Sequence, residues 1–149
     1  MLSKLFKTDS DFALTIMRLL LGIVFFAHGA QKTLGWFGGY GFHGTMEFFT
    51  HQLNIPAVFA FLAICAEFLG GIGLILGCLT RIAALGIGFE MAVAVLMIHR
   101  QFGLFMNWSG AQQGEGYEYH LLVFAIAIAL LVKGGGALSL DRGLSRPSG

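Results

Sequence analysis

Four apolar stretches, each close to the length that crosses a lipid bilayer, run through residues 11–33, 56–78, 81–100 and 116–134. A helix rising about 1.5 Å per residue needs about 20 apolar residues to span a hydrocarbon core about 30 Å thick. Lipid offers backbone groups no hydrogen bonds, so such stretches must bond internally as helices. The composition agrees: 56% of the 149 residues are hydrophobic, 11% are charged, and mean hydropathy is +0.78. A soluble domain of this size carries about a quarter charged residues, because it has a large wetted surface to cover. The expected fold is an all-α integral membrane protein, with residues 1–149 forming one four-helix transmembrane bundle in contact with the lipid bilayer.

The net charge of +1 is scattered, so no basic stripe exists to neutralise a phosphate backbone, and nucleic acid is excluded as a partner. Cys65 and Cys78 fall in one apolar stretch, where a helix would hold them about 20 Å apart, too far for a disulfide. Lys4 to Ala27 begin basic and turn apolar. The stretch is long and no small-residue cleavage site precedes Lys32, so an uncleaved first span is expected. Asp9, Ser10 and Asp11 suit its N-terminal cap, Asn54 and Pro56 open the second span, and Thr80 opens the third. Lys133 followed by Gly134, Gly135 and Gly136 closes the fourth.

Only Cys78 to Arg81 separate the second and third spans, which must then be antiparallel neighbours. Lys4, Lys7, Arg81, Lys133, Arg142 and Arg146 fall on one side of such a bundle, with Lys32 and Arg100 on the other. By the positive-inside rule both termini are cytoplasmic and the two long loops face outward. The first outer loop runs from Gly35 to Gly44 and leads into a short interfacial helix over 45–53. Gly39 to Gly44 spells GxGxxG, but no strand precedes it and no βαβ unit fits, which rejects a dinucleotide site. The second loop carries Asn107, Trp108, Ser109, Gly110, Gln112, Gln113, Glu115 and Gly116.

Ionisable side chains at bilayer depth are costly and mark function by default. Glu67 lies about 16 Å past Pro56, near the midplane, and Glu90 is similarly deep. Arg18, Leu21, Gly22, Phe25, His28, Gly29 and Lys32 share one helical face, predicted to look inward. Arg18 is expected to reach the cytoplasmic surface or pair with a carboxylate. Glu67, Gly70, Gly71, Leu74, Gly77 and Cys78 form a second face with small residues for close helix approach. Glu90 and His99 lie on opposite faces of the third span, so at most one serves a given pocket. His28, Lys32, Glu118 and His120 are predicted to meet in an outward-facing polar pocket beneath the glycine-rich loop, with Glu67 below. Gly73 and Gly77 have GxxxG spacing, which suits a homo-oligomer.

The string from Arg18 to Lys32, with His28, Gly29 and Gln31, followed by Gly35-Trp36-Phe37-Gly38-Gly39-Tyr40-Gly41, resembles the DoxX family. So do Ala66-Glu67 with Gly70-Gly71, Leu79-Thr80-Arg81, Gly116-Tyr117-Glu118-Tyr119, and Gly135 to Asp141. The resemblance implies a four-helix protein of the bacterial inner membrane, associated with quinone-linked oxidation; the related DoxD protein looks like part of a thiosulfate:quinone oxidoreductase. The residues suit that chemistry. His28 and Lys32 would hold a quinone oxygen or a small anionic reductant, Glu118 and His120 would exchange protons, and Glu67 would relay them. Trp36, Phe37 and Tyr40 would flank the ring. No CxxCH, iron–sulfur cysteine set or flavin fingerprint is present, and no metal-ligand set is read, so electrons would come from a partner protein or directly from substrate. The alternative is a non-catalytic membrane anchor or assembly partner for a soluble redox enzyme, its carboxyls and glycines serving helix packing. A proton-coupled carrier built on Glu67 and Glu90, or a haem held by His28 with His99 or His120, are further readings.

Overall fold

The structure, a computed structural model, describes residues 5–145, so Lys4 and Arg146 lie outside the described residues. The α-helices follow in the order α1 (Phe12–Leu34), α2 (Gly41–Glu47), α3 (Ala57–Leu76), α4 (Thr80–Met97), α5 (Glu118–Lys133) and α6 (Leu140–Ser145). No strand occurs among the described residues. α1, α3 and α4 are each long and apolar enough to cross a membrane. α5, with 16 residues, extends about 24 Å. Helix α1 packs chiefly on α3, α3 on α4 and α4 on α5, and α5 returns to α1. Between them lies a core of Leu21, Phe25, Leu74, Ala84, Ile87, Met91, Val123, Ala127 and Leu130. Large apolar side chains cover the opposite faces, among them Leu20, Ile23, Leu62, Leu69, Phe89, Leu122 and Ile128.

Helix boundaries follow local chemistry. The Asp11 carboxylate accepts the Ala13 N–H at 2.8 Å and caps α1, as its position before the apolar run predicts. At the far end Gly35 takes the left-handed conformation (φ 72°) that stops the helix. The chain then folds back so tightly that a Cβ on Gly39 would lie 2.3 Å from the Gln31 carbonyl oxygen. The short helix begins at Gly41, earlier than the predicted residue 45, because Gly41 (φ 66°) turns the chain and Gly44 admits the Tyr40 side chain. It loosens into a wider π turn over Phe48–Gln52.

The α1–α3 contact is made by absent side chains. A Cβ on Gly29 would lie 2.5 Å from Phe68 Cα, one on Gly71 2.5 Å from the Phe26 nitrogen, and one on Gly22 2.8 Å from the Ile75 nitrogen. Backbone meets backbone there, the close approach that small residues allow in lipid. Gly77 is occupied otherwise than predicted. It ends α3 with φ 67° and is packed by Ser139 and the Arg18 guanidinium, so the Gly73–Gly77 pair is no free oligomer face.

The end of the helices where the first and last described residues meet is closed by charged groups bonded to main chain. Arg18, 1% exposed, reaches no surface and no carboxylate. It donates to the Gly135 and Leu138 carbonyls at 2.8 and 2.6 Å, to Ile75 at 2.7 Å, and to Leu74. Two of these are last-turn carbonyls of α3, at the negative end of its dipole; Leu74 also accepts the Gly77 N–H at 3.2 Å. Arg81 does the same for α5 through Leu131 and Val132. The buried Asp141 carboxylate accepts the Leu79 and Thr80 N–H groups at 2.8 Å each, capping α4 from 61 residues away. Lys133 pairs with Asp9 at 3.1 Å, and Asp9 donates its N–H to the Lys133 carbonyl.

Close approach of α1 and α3 predicts a graded response to one added carbon. Gly71→Ala should destabilise the protein in detergent by about 1–3 kcal/mol, the usual cost of overpacking. Gly86→Ala, whose Cβ would meet Ala66 at an ordinary 3.5 Å, should leave the melting temperature within error. Equal melting temperatures for both variants would contradict this packing.

Candidate functional site

Near the loop end, one polar side chain from each of α1, α3, α4 and α5 turns into the same interior space. Lys32, in the last turn of α1, places its Nζ 2.5 Å from Glu67 Oε2. Glu67 is 4% exposed; the glycine contacts beside it, Gly29 against the Glu67–Phe68 backbone and Gly71 against Phe26, bring the two helices within reach. On its other side Glu67 neighbours Glu90 of α4, and the two carboxyl groups lie within electrostatic reach of each other. The Tyr119 hydroxyl of α5 lies within electrostatic reach of both carboxyls. Glu90 Oε2 and the Tyr119 hydroxyl are buried without a protein hydrogen-bond partner. Leaving such a group unpaired costs about 1–3 kcal/mol, so neither contact adds to stability as it stands.

A second pair lies beside the first. The rings of His99, just past α4, and His120 of α5 are 4.3 Å apart between centroids. His120 is 4% exposed and its Nδ1 has no protein partner. His99 Nδ1 is 2.8 Å from the Glu115 carbonyl oxygen, which ties this pair to the second loop. Tyr119 connects the two groups, its ring edge-on to His120 with centroids 5.4 Å apart. Glu90 thus joins Glu67 while His99 joins His120, in keeping with their opposite faces.

The residues read as one outward pocket are therefore divided. Lys32 and Glu67 come together. Glu118 does not join them: its Oε1 accepts the Met106 N–H at 2.9 Å and the Trp108 indole N–H at 3.0 Å, so it fastens the second loop. His28 is exposed, because the inward face of α1 centres on Gly22, Phe25 and Gly29 and the histidine falls outside it. Trp36, Phe37 and Tyr40 are 51%, 71% and 79% exposed, at the loop surface rather than over a ring site. Only Trp36 leans inward, edge-on to Phe26, which stacks on Phe68. Phe37 holds a left-handed backbone (φ 53°) despite its bulk.

The large cavity lies elsewhere. A groove of about 970 Å³ opens between α3 and α4, walled by Phe59, Leu69, Ile82, Phe89 and Val93, with Glu90 as the one acidic or basic side chain among its described lining residues. None of His28, Lys32, Trp36, Phe37, Tyr40, Glu118 or His120 lines it. The sequence carries one signal for this place, the equal depth of Glu67 and Glu90 on adjacent spans. Tyr119 carries no such signal, since its role depends on the rotation of α5.

Apolar helices with outward hydrophobic faces and a buried ion-pair cluster define a multi-pass membrane protein. Residues 13–100 match the DoxX family, and the chain belongs to it. Two relatives extend the likeness over most of the chain. One is "Putative oxidoreductase CatD" of Bacillus subtilis (strain 168), 27% identical over 126 residues, or 85% of this chain and 82% of that protein. The other is "Inner membrane protein YqjF" of Escherichia coli (strain K12), 29% identical over 141 residues, or 94% of this chain and 98% of that protein. No solved structure matches the chain. Family, relative and helices together place the protein in the bacterial inner membrane, as the sequence leads one to expect.

The Lys32–Glu67 contact generates a stability prediction. Lys32→Met leaves a buried carboxylate without its cation and should cost about 3–5 kcal/mol. Lys32→Met combined with Glu67→Leu should recover most of that loss. Thermal unfolding of the two single variants and the double variant in detergent measures the coupling, and additive losses would show that the groups do not interact.

Proposed function

We propose that this protein is the membrane subunit of a quinone-linked oxidoreductase, taking quinone from the bilayer into the α3–α4 groove. The observation that carries this reading is the position of Glu90. It stands in the wall of the apolar groove and at the same time faces Glu67, which Lys32 neutralises. The groove volume suits a ring with part of an isoprenoid tail, at the upper end of small-molecule sites of about 300–1,000 Å³. Reducing quinone to quinol consumes two electrons and two protons. Glu90 would bond a ring oxygen and hand over a proton, Glu67 would resupply it, and Lys32 would hold the charge left behind. Electrons would come from a redox partner protein. The name of the Bacillus subtilis relative supports oxidoreductase chemistry, and the outward pocket under the glycine-rich loop gives way here to a site open to lipid.

In this reading α5 is the fourth span. Its outward side carries Leu121, Leu122, Ile128 and Val132, as apolar as the outward sides of the other three. Lys7, Arg81, Lys133 and Arg142 gather at the terminal end, which supports cytoplasmic termini by the positive-inside rule. A second reading, the membrane anchor for a soluble redox enzyme, draws on the aromatic loop surface, where Phe37, Tyr40 and Trp108 stand exposed. A homo-oligomer would have to use faces other than Gly77.

Mass spectrometry of lipid-soluble molecules retained by the purified protein tests the proposal. Quinone should accompany the wild type and should be lost from Gly86→Phe, which fills the groove without touching the Lys32–Glu67 pair. A wild-type protein free of quinone but bound to a soluble redox enzyme would favour the anchor.

A further inference from the structure

Three buried polar atoms without a protein partner belong to groups that follow one another from the membrane interior toward the second loop: Glu90 Oε2, the Tyr119 hydroxyl and His120 Nδ1. Thr45, Thr80 and Arg81 also carry buried atoms without a partner, but they stand apart from these three, which belong to one cluster and call for one explanation. The groups form a continuous series. Glu67 and Glu90 lie in each other's field, Tyr119 lies within electrostatic reach of both, its ring is edge-on to His120, and the His120 ring lies 4.3 Å from that of His99. His99 in turn reaches the main chain at exposed Glu115, so the series ends at the loop surface. Every member can accept and donate a proton in its ordinary chemistry. Gaps between buried polar groups of this spacing are where internal water resides, each molecule taking two to four bonds.

Charge balance at the inner end supplies the proton. Lys32 brings one positive charge to a buried space with two carboxyl groups, and two carboxylates side by side in apolar surroundings repel each other. One cation compensates one carboxylate, which favours a proton on the second group.

We propose that the Glu67–Glu90 pair, Tyr119 and the His120–His99 pair form a water-bridged proton path connecting the membrane interior with the second loop. A proton leaves the carboxyl pair, passes by hydroxyl and ring nitrogens in turn, and is replaced from bulk water by the reverse route. No bond other than O–H and N–H is made or broken. Within the function proposed above, this path would refill the carboxyl pair after each transfer to the groove, but its existence does not depend on that function.

Infrared spectroscopy of the full chain in lipid nanodiscs, with no quinone and no partner added, tests it. The wild type should show a protonated-carboxyl C=O band that shifts on transfer to heavy water and is absent from Glu90→Gln. Tyr119→Phe keeps the ring and removes one oxygen, and His120→Leu removes the ring nitrogens. Each should slow the band's exchange by about tenfold or more, equivalent to about 1.4 kcal/mol at the slowest transfer. Exchange at the wild-type rate in both variants, or a wild type with no protonated carboxyl, overturns the proposal. Because quinone is absent throughout, neither result bears on whether the groove holds it.

Discussion

Where Gly29 meets Phe68 and Gly71 meets Phe26, the backbones of α1 and α3 come too close for any side-chain carbon between them. Lipid supplies no hydrophobic force to drive helices together, so this packing has to come from fit between surfaces. The close approach carries the polar groups with it. One face of α1 holds Arg18 near one end and Lys32 near the other, and both act on α3. Arg18 takes up the carbonyls of its last turn, and Lys32 neutralises Glu67. A wider gap would part Lys32 from Glu67, leaving a buried carboxylate without its cation at a cost of several kcal/mol, and would take from Arg18 its two α3 carbonyls. Glu90 and Tyr119 then join a carboxyl that is already fixed in place.

The two ends of the helices use charge differently. At the terminal end Arg18, Arg81 and Asp141 are spent on main-chain groups at helix termini, although Arg81 Nε and the Thr80 hydroxyl there are buried without a protein partner. These contacts stabilise the ends where four helices and the last turn of chain meet. At the loop end the cluster is short of donors and acceptors, with Glu90, Tyr119 and His120 each leaving a buried atom unpaired. Glu90 is also the point where this cluster touches the lipid-facing groove. Helix-end capping on one side and side-chain pairs between helices on the other distinguish the two ends more sharply than residue type does, since both contain arginine or lysine and acidic groups.

Much of the fold is legible in the amino-acid sequence because it depends on local pattern. Apolar length and flanking caps place α1, α3 and α4 within a few residues, and Asp11 and Gly35 act as their positions suggest. The site is legible only in part. Depth along a helix follows from counting, which is why Glu67 and Glu90 can be placed level with each other from sequence alone. Rotation about the helix axis is set by tertiary packing, which no count along one helix contains: His28 falls just outside the inward face of α1, and Glu118 turns to Trp108 and the loop. An isolated helix would let Arg18 reach the surface. The unpaired carbonyls of a neighbouring helix offer it a partner that no local pattern records, and Asp141 capping α4 is the same kind of case.

Lys32 stands as a charged group inside the membrane protein, and Glu67 holds it there. Nitrogen NMR of lysine-labelled protein in lipid bilayers, with the Lys32 signal assigned by its loss in Lys32→Arg, observes that group directly. The expected result is an ammonium resonance that is slow to exchange with water and shows a short through-space coupling to the Glu67 carboxyl carbon. A rapidly exchanging Lys32 ammonium with no such coupling, as for a lysine reaching the lipid headgroups, would contradict it.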